Sequence, residues 1–373
     1  MGCETPAVGS DFVSTVVARP SPALYAAVPG QERVTAGLLA SAAAPVHAYL
    51  FTGPPGTGKR NAALGFAASL LCPNGGDGDC RVCRQALAGT HVDLLVVERA
   101  GASITKPQAS EIIGLASRSP VEGRRKVIVL VDFHLVQDAG PMLLKTIEEP
   151  PPSAVFVVLA DHVPPELVTI ASRCVRFEFV PLSEERIRAV LEAEGVSGAA
   201  ADEAARASGG RLDRARLLAT DSEVAARRGA WEQVPVRLDG TGATVALLAA
   251  ELLDLISRVG AEGLAAREAA EMAALDERAG LTGERLTGGA RKDVEDRFKR
   301  ERRRVRTDEL RWGLATLAAA YRDRALIATR PRAVAAALDA AGAVHAAEEA
   351  LVRNPNEVLL LQALLLRLQP LTG

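Results

Sequence analysis

The run Gly53-Pro54-Pro55-Gly56-Thr57-Gly58-Lys59 constrains this chain more than any other feature. It follows a strand-like stretch at 49–52 and opens helical spacing over 59–71. Strand, glycine-rich turn and helix in that order form a phosphate cradle. Backbone N–H groups at the helix N-terminus point at the phosphates, and the lysine reaches the β and γ groups. Gly53, Gly56, Thr57, Gly58 and Lys59 are therefore candidate nucleotide contacts. The pattern G-x-x-x-x-G-K-[ST] is complete until its last position, where Arg60 replaces the hydroxyl that would hold Mg²⁺. A guanidinium has no acceptor atom for a metal. The loop thus leaves room for ADP or ATP and argues against hydrolysis in this site.

A second metal-holding element should be a strand ending in aspartate. Residues 126–132 fit, and Asp132 is the candidate. Phe133 follows it, and phenylalanine can neither accept a proton nor orient an attacking water. The plainer reading, in which Asp132 only ends a core strand, stays open beside the metal role. Asp161, after the strand at 155–160, sets a carboxylate where phosphate would come and is expected to repel it.

Alternation of short Val/Ile/Leu/Phe runs with helical spacing extends over most of the first half. Strands are expected at 49–52, 94–98, 126–132, 155–160 and 175–180, and helices at 33–43, 59–71, 107–117 and 140–148. This order predicts a parallel sheet covered by helices on both faces. Residues 1–22 lack periodicity and read as a flexible leader. After Leu182 the strands stop, and Ser183-Glu184-Glu185 opens a helix. From 227 onward Ala, Leu, Arg and Glu recur at helical spacing. The charged run at 291–311 reads first as a solvated helix face and second as a DNA-facing one.

Five cysteines are present, an odd count without a secretion signal, which argues against a disulfide framework. Cys80-x-x-Cys83 is a zinc half-site, and Cys72 can close on it across a glycine-rich loop. Asp77, Asp79 and His91 are the nearby candidates for a fourth ligand; a reduced cluster without metal is the alternative. Arg173, in Ser172-Arg173-Cys174 before the last strand, is either buried packing or an arginine finger aimed at a neighbouring subunit's triphosphate. His91, His134 and His162 are scattered and give no nucleophile–base–orienter set. A net charge of -2 supplies no general attraction to nucleic acid or membrane, and no span of about 18 apolar residues occurs. A cytoplasmic chain without a membrane partner is expected.

Taken together, several motifs resemble the clamp-loader subunits of bacterial DNA polymerase III, of the AAA+ family. The residues that carry the likeness are Gly30-Gln31-Glu32, the stretch from His47 through Lys59, the Cys72 cluster, Ala88-Gly89-Thr90-His91, Leu143-Leu144-Lys145-Thr146-Ile147-Glu148-Glu149-Pro150-Pro151 and Ser172-Arg173-Cys174. They cover 28–182; the C-terminal half is similar by helical character and at 354–366.

The resemblance implies an AAA+ module at 23–182 with a zinc-type insertion at 72–91. A helical lid would follow at 183–226 and an all-α collar at 227–373. It further implies a hetero-pentamer with ATPase subunits of tau/gamma type and a delta subunit, acting on a sliding clamp and primed DNA. Arg173 would be the finger in trans. Cys72, Cys80 and Cys83 would hold Zn²⁺, with Asp77 standing where the family commonly has a fourth cysteine. Among family members the chain is most similar to those that do not hydrolyse ATP; the alternative is a hydrolysing tau/gamma-type subunit. Ser110 stands where an arginine is often found beside DNA, which leaves phosphate contacts there to Lys106 or backbone N–H groups.

Overall fold

A computed structural model describes residues 20–99, 104–136, 139–259, 261–282, 288–353 and 355–368. Residues 1–19 of the expected leader lie outside the described residues, as do Ser103 and Asn354. Five strands, β1 (Ala48–Thr52), β2 (Leu94–Val97), β3 (Lys126–Leu130), β4 (Ala154–Ala160) and β5 (Val175–Glu178), pair in parallel in the order β2-β3-β4-β1-β5. The expected third strand ends two residues early because Asp132 turns into the left-handed region at φ 53. It is the one non-glycine residue with positive φ among those described.

Both sheet faces are covered. Tyr49, Phe51, Val127, Val129, Val155 and Val157 point toward α1 (Glu32–Ala43), α2 (Lys59–Leu71) and α3 (Arg81–Leu87). Their strand neighbours Leu50, Ile128, Leu130, Phe156 and Val158 point toward α4 (Lys106–Ala116), α5 (Gly140–Glu148) and α6 (Val168–Ala171). The two-residue alternation persists although every position is apolar, because each face has its own helical layer to bury against. The Phe66 ring of α2 meets Tyr49 edge-on at 4.7 Å between centroids.

The chain then becomes wholly helical. A small cluster is built from α7 (Glu184–Ala193), α8 (Gly198–Ala207) and α9 (Leu212–Thr220) around Ile187, Leu191 and Ala215. Ser183 caps α7 by accepting the Arg186 N–H. The helix α10 (Ser222–Arg237) leads into a larger core with α11 (Gly242–Ser257), α13 (Gly288–Ile327), α14 (Pro331–Ala350) and α15 (Glu357–Arg367). Trp231, Leu248, Leu314, Tyr321, Val344 and Leu361 fill it.

Between α11 and α13, α12 (Ala261–Thr282) packs along α13 through Arg267–Glu301, Arg291–Asp276, Arg297–Glu271 and Arg302–Glu268 pairs. The charged run at 291–311 is therefore not only a solvated face. Acidic residues of α12 answer its arginines, while Phe298 and Leu310 are buried.

Gly313 sits inside α13 against the Trp231 indole, and a Cβ there would fall 2.0 Å from a ring carbon. Alanine normally stabilises a helix interior by about 1 kcal/mol over glycine. Here Gly313→Ala is expected to lower stability instead, by about 1–3 kcal/mol from overpacking. Urea denaturation followed by Trp fluorescence reads the sign.

Candidate functional site

The P-loop connects β1, the strand between β4 and β5, to α2. Gly53 has φ 137 and passes so close to the Phe179 carbonyl that a Cβ would lie 2.1 Å from its oxygen. Gly58, with φ 92, is the N-cap of α2 and turns the chain into the helix. The Thr57 hydroxyl donates to the Pro54 carbonyl at 2.8 Å. From the small helical cluster, Asp213 and Arg211 press on Gly56, leaving no room for a side chain there. A cavity of about 540 Å³ opens between this loop, the start of α9 and the helices α13 and α14. Gly56, Lys59, Asp132, Arg211, Arg311 and Glu348 are among its lining. Its size is that of a small-molecule site.

The charges at the P-loop and at Asp132 are already matched. Lys59 is buried, and its ammonium donates to the Pro54 carbonyl at 2.8 Å, to Asp161 Oδ1 at 2.9 Å and to the Gly53 carbonyl. Asp161, expected to repel phosphate, is the counter-ion of Lys59. The Arg60 guanidinium donates to Glu98 at 3.0 Å. Asp132 accepts from Arg99 Nε at 3.2 Å, so a guanidinium faces the carboxylate that a Mg²⁺ ion would use. Beside them, His134 Nδ1 accepts the Asp161 N–H at 3.2 Å. Burial pushes the His134 pKa below the ordinary range, against the Asp161 and Asp132 carboxylates, which favour its charged form.

Arg173 lies at the other end of the sheet. Val175 pairs in register with Tyr49, while Gly53 is four residues further along β1. At about 3.3 Å per residue, the P-loop begins at least about 13 Å beyond the level of Arg173, so this arginine does not serve its own loop. Its side chain is 47% exposed, paired to Glu148 at 3.2 Å and donating to the Thr169 carbonyl at 3.0 Å.

The cysteine cluster converges. Cys72 ends α2, Cys80 is the N-cap of the short helix α3, and Cys83 lies in its first turn, a helix not separated out in the sequence. Ligand atoms of Cys72, Asp77, Cys80 and Cys83 all lie within 4.8 Å of one another. The Cys72 and Cys80 sulfurs are 3.6 Å apart. Tetrahedral Zn–S bonds of about 2.3 Å require edges of about 3.8 Å, so the spacing suits zinc and is far too long for a disulfide.

Asp77 accepts from the Asn74 amide at 2.9 Å and from the Asp79 and Cys80 N–H groups at 3.1 Å, which fixes its carboxylate in the turn; the Asn74 and Cys80 bonds lower its pKa. Burial alone would raise the Cys72 pKa, but backbone N–H groups of Asp77, Gly76 and Asn74 bring it below the usual thiol value. Asp79 and His91 fall outside this group. His91 is buried, with Nδ1 accepting the Asp93 N–H at 3.1 Å and Nε2 3.7 Å from Glu122.

Sequence reasoning missed Glu98, Arg99 and Asp308. None sits at motif spacing from the loop, and Asp308 lies in a run where charges of both signs alternate.

A five-stranded parallel sheet in this order, with a P-loop after β1 and an aspartate after β3, defines a P-loop module of the AAA+ class. Residues 36–183 match the family described as "DNA polymerase III, delta subunit". DNA polymerase III subunit delta' of Bacillus subtilis is 36% identical over 155 residues, covering 40% of this chain and 47% of that protein. The Pseudomonas aeruginosa protein of the same name is 38% identical over 138 residues, covering 35% and 42%. DNA polymerase III subunit tau of Escherichia coli is 37% identical over 180 residues, covering 46% and 28%. The chain thus spans less than half the length of these curated relatives. Among the described residues no helix is long and apolar enough to cross a membrane.

Because burial lowers the His134 pKa in the native state, the unfolded chain binds the proton more readily as pH falls through about 6.5, and stability rises with pH across that range. His134→Asn keeps an acceptor for the Asp161 N–H and removes the titration. Denaturation midpoints between pH 5 and 8 should vary less steeply in that variant than in the wild type. Equal slopes would show that another group governs the range.

Proposed function

We propose that this chain is a non-hydrolysing clamp-loader subunit of DNA polymerase III, of delta' type. It would act in replication in the cytoplasm, beside ATPase subunits of tau/gamma type and a delta subunit in a pentameric ring that places a sliding clamp on primed DNA. The observation that carries the reading is the contrast between the two ends of the sheet. At the P-loop end Arg60 has replaced the metal-binding hydroxyl and pairs with Glu98. At the other end Arg173 is half-exposed, beyond reach of its own Lys59. An arginine so placed can stabilise charge only on a triphosphate held by another chain.

The division into a P-loop module at 23–182, a lid at 183–226 and a collar at 227–373 belongs to the same proposal. So does a structural Zn²⁺ held by Cys72, Cys80, Cys83 and Asp77, which would fasten the end of α2 to α3. ADP or ATP would dock on Gly53, Gly56, Thr57, Gly58 and Lys59 only by displacing Asp161 from the lysine.

The second reading, a tau/gamma-type ATPase, is favoured by the retained Lys59 and Asp132 and by the 37% identity to a tau subunit. Turnover by the purified chain separates the two. Mg²⁺-dependent hydrolysis abolished by Lys59→Ala would establish the ATPase, whereas no turnover is expected here.

In a reconstituted loader, Arg173→Ala should slow hydrolysis at the site it serves by about 10³–10⁵. An unchanged rate removes the finger. Metal analysis should find stoichiometric zinc in the wild type and little in Cys83→Ser, with lower thermal stability on chelation.

A further inference from the structure

Two residues mark where a magnesium site would be, and both lead to the same helix. Arg60 donates to one oxygen of Glu98 at 3.0 Å, and the other oxygen of Glu98 accepts from Arg304 of α13. Asp132 accepts from Arg99 at 3.2 Å, and Arg99 donates in turn to Asp308 of α13. Glu98 and Arg99 are consecutive at the end of β2, while Arg304 and Asp308 are one helical turn apart and so share a face. Arg311, in the next turn, lies 3.6 Å from Asp308.

We infer that the metal-binding half of this nucleotide pocket has become a latch that fastens α13 to the P-loop module, with Arg60 and Asp132 as its two anchors. The inference goes beyond the function proposed above and makes no use of Arg173.

The charge order supports it. The sheet side offers minus then plus at 98 and 99, and the helix offers plus then minus at 304 and 308. Sliding α13 one turn along its axis would bring Asp308 against Glu98, or Arg304 against Arg99, both like-charge contacts. The ion pairs therefore select one register. Burial is deep enough for this to matter: the Arg99 side chain is 2% exposed. Removing a partner from a buried charge such as Arg99 is costly, whereas the more exposed Arg60–Glu98 pair is worth about 1 kcal/mol or less.

Glu98 shows the same balance, since burial would raise its pKa but the Arg304 and Arg60 guanidiniums hold it below the usual carboxylate range. Serine at position 60 would be too short to reach Glu98. The substitution that removes a metal ligand is the one that supplies the first link.

Hydrogen exchange of the full chain, read by mass spectrometry over residues 298–312, tests the latch, with small-angle scattering reporting the overall dimensions. Arg60 is on the surface, so substitutions there leave the fold intact. Arg60→Ser is expected to speed exchange in 298–312 about fivefold, the equivalent of roughly 1 kcal/mol, and to enlarge the radius of gyration. Arg60→Lys should retain the wild-type behaviour.

Glu98→Gln and Arg304→Gln should each act like Arg60→Ser, and their combination should be no worse than the larger single effect, because both break one bridge. Adding Asp308→Asn to Glu98→Gln should give a larger opening, because it breaks the second. Exchange in 126–130 and 154–160 should not change in any variant. Wild-type exchange and dimensions in Arg60→Ser would overturn the latch. Equal effects of serine and lysine at position 60, or simple addition of the Glu98→Gln and Arg304→Gln effects, would overturn it too.

Discussion

A buried guanidinium organises the centre of this molecule. Arg99 leaves the end of β2, lies almost wholly out of solvent, and is held between Asp132 of the sheet and Asp308 of a helix more than two hundred residues away in sequence. An ion in that position must be paired, since an uncompensated buried charge costs several kcal/mol. The requirement ties the carboxyl edge of the sheet to the C-terminal helices. Lys59 obeys the same rule at the start of α2. It takes Asp161 and two loop carbonyls. The lysine and the former metal-ligand positions are thus paired internally, although the pocket keeps the glycines and the cavity of a nucleotide site.

Closure of this kind changes what a nucleotide would have to do. In a working P-loop the lysine and the metal ligands are satisfied by the ligand itself. Here each has an internal partner, so phosphate would gain only the difference between its own contacts and those it displaces. The opposite end of the sheet is different in character. Arg173 is half in solvent and held by the Glu148 carboxylate, the Thr169 carbonyl and the Ser172 hydroxyl, which leaves its remaining donors available to another chain. The separation of the two ends follows from parallel pairing, because a residue before β5 cannot lie beside a loop after β1.

Much of the first half was legible in the sequence. The strands at 49–52 and 155–160 and the helices at 59–71 and 140–148 were readable because apolar runs, glycine turns and helical spacing agree locally. The cysteine cluster was legible as three sulfurs, with Asp77 beside them by resemblance, and the turn that brings all four together needed coordinates. What failed was the meaning of single charged residues. Asp161 read as a repellent of phosphate because its partner, Lys59, lies 102 residues away. The run at 291–311 read as a solvated face because its alternating signs hide which arginines meet α12 and which meet the sheet.

The sequence by itself determined a P-loop between a strand and a helix, a sheet buried on both faces, and a helical second half. Those features rest on local periodicity and on the backbone freedom of a few glycines, which neighbours in the chain specify. Tertiary structure alone decided which charge answers which. Electrostatic pairing depends on distance and burial in space, and nothing in the spacing along the chain links Arg60 to Arg304 or Asp132 to Asp308.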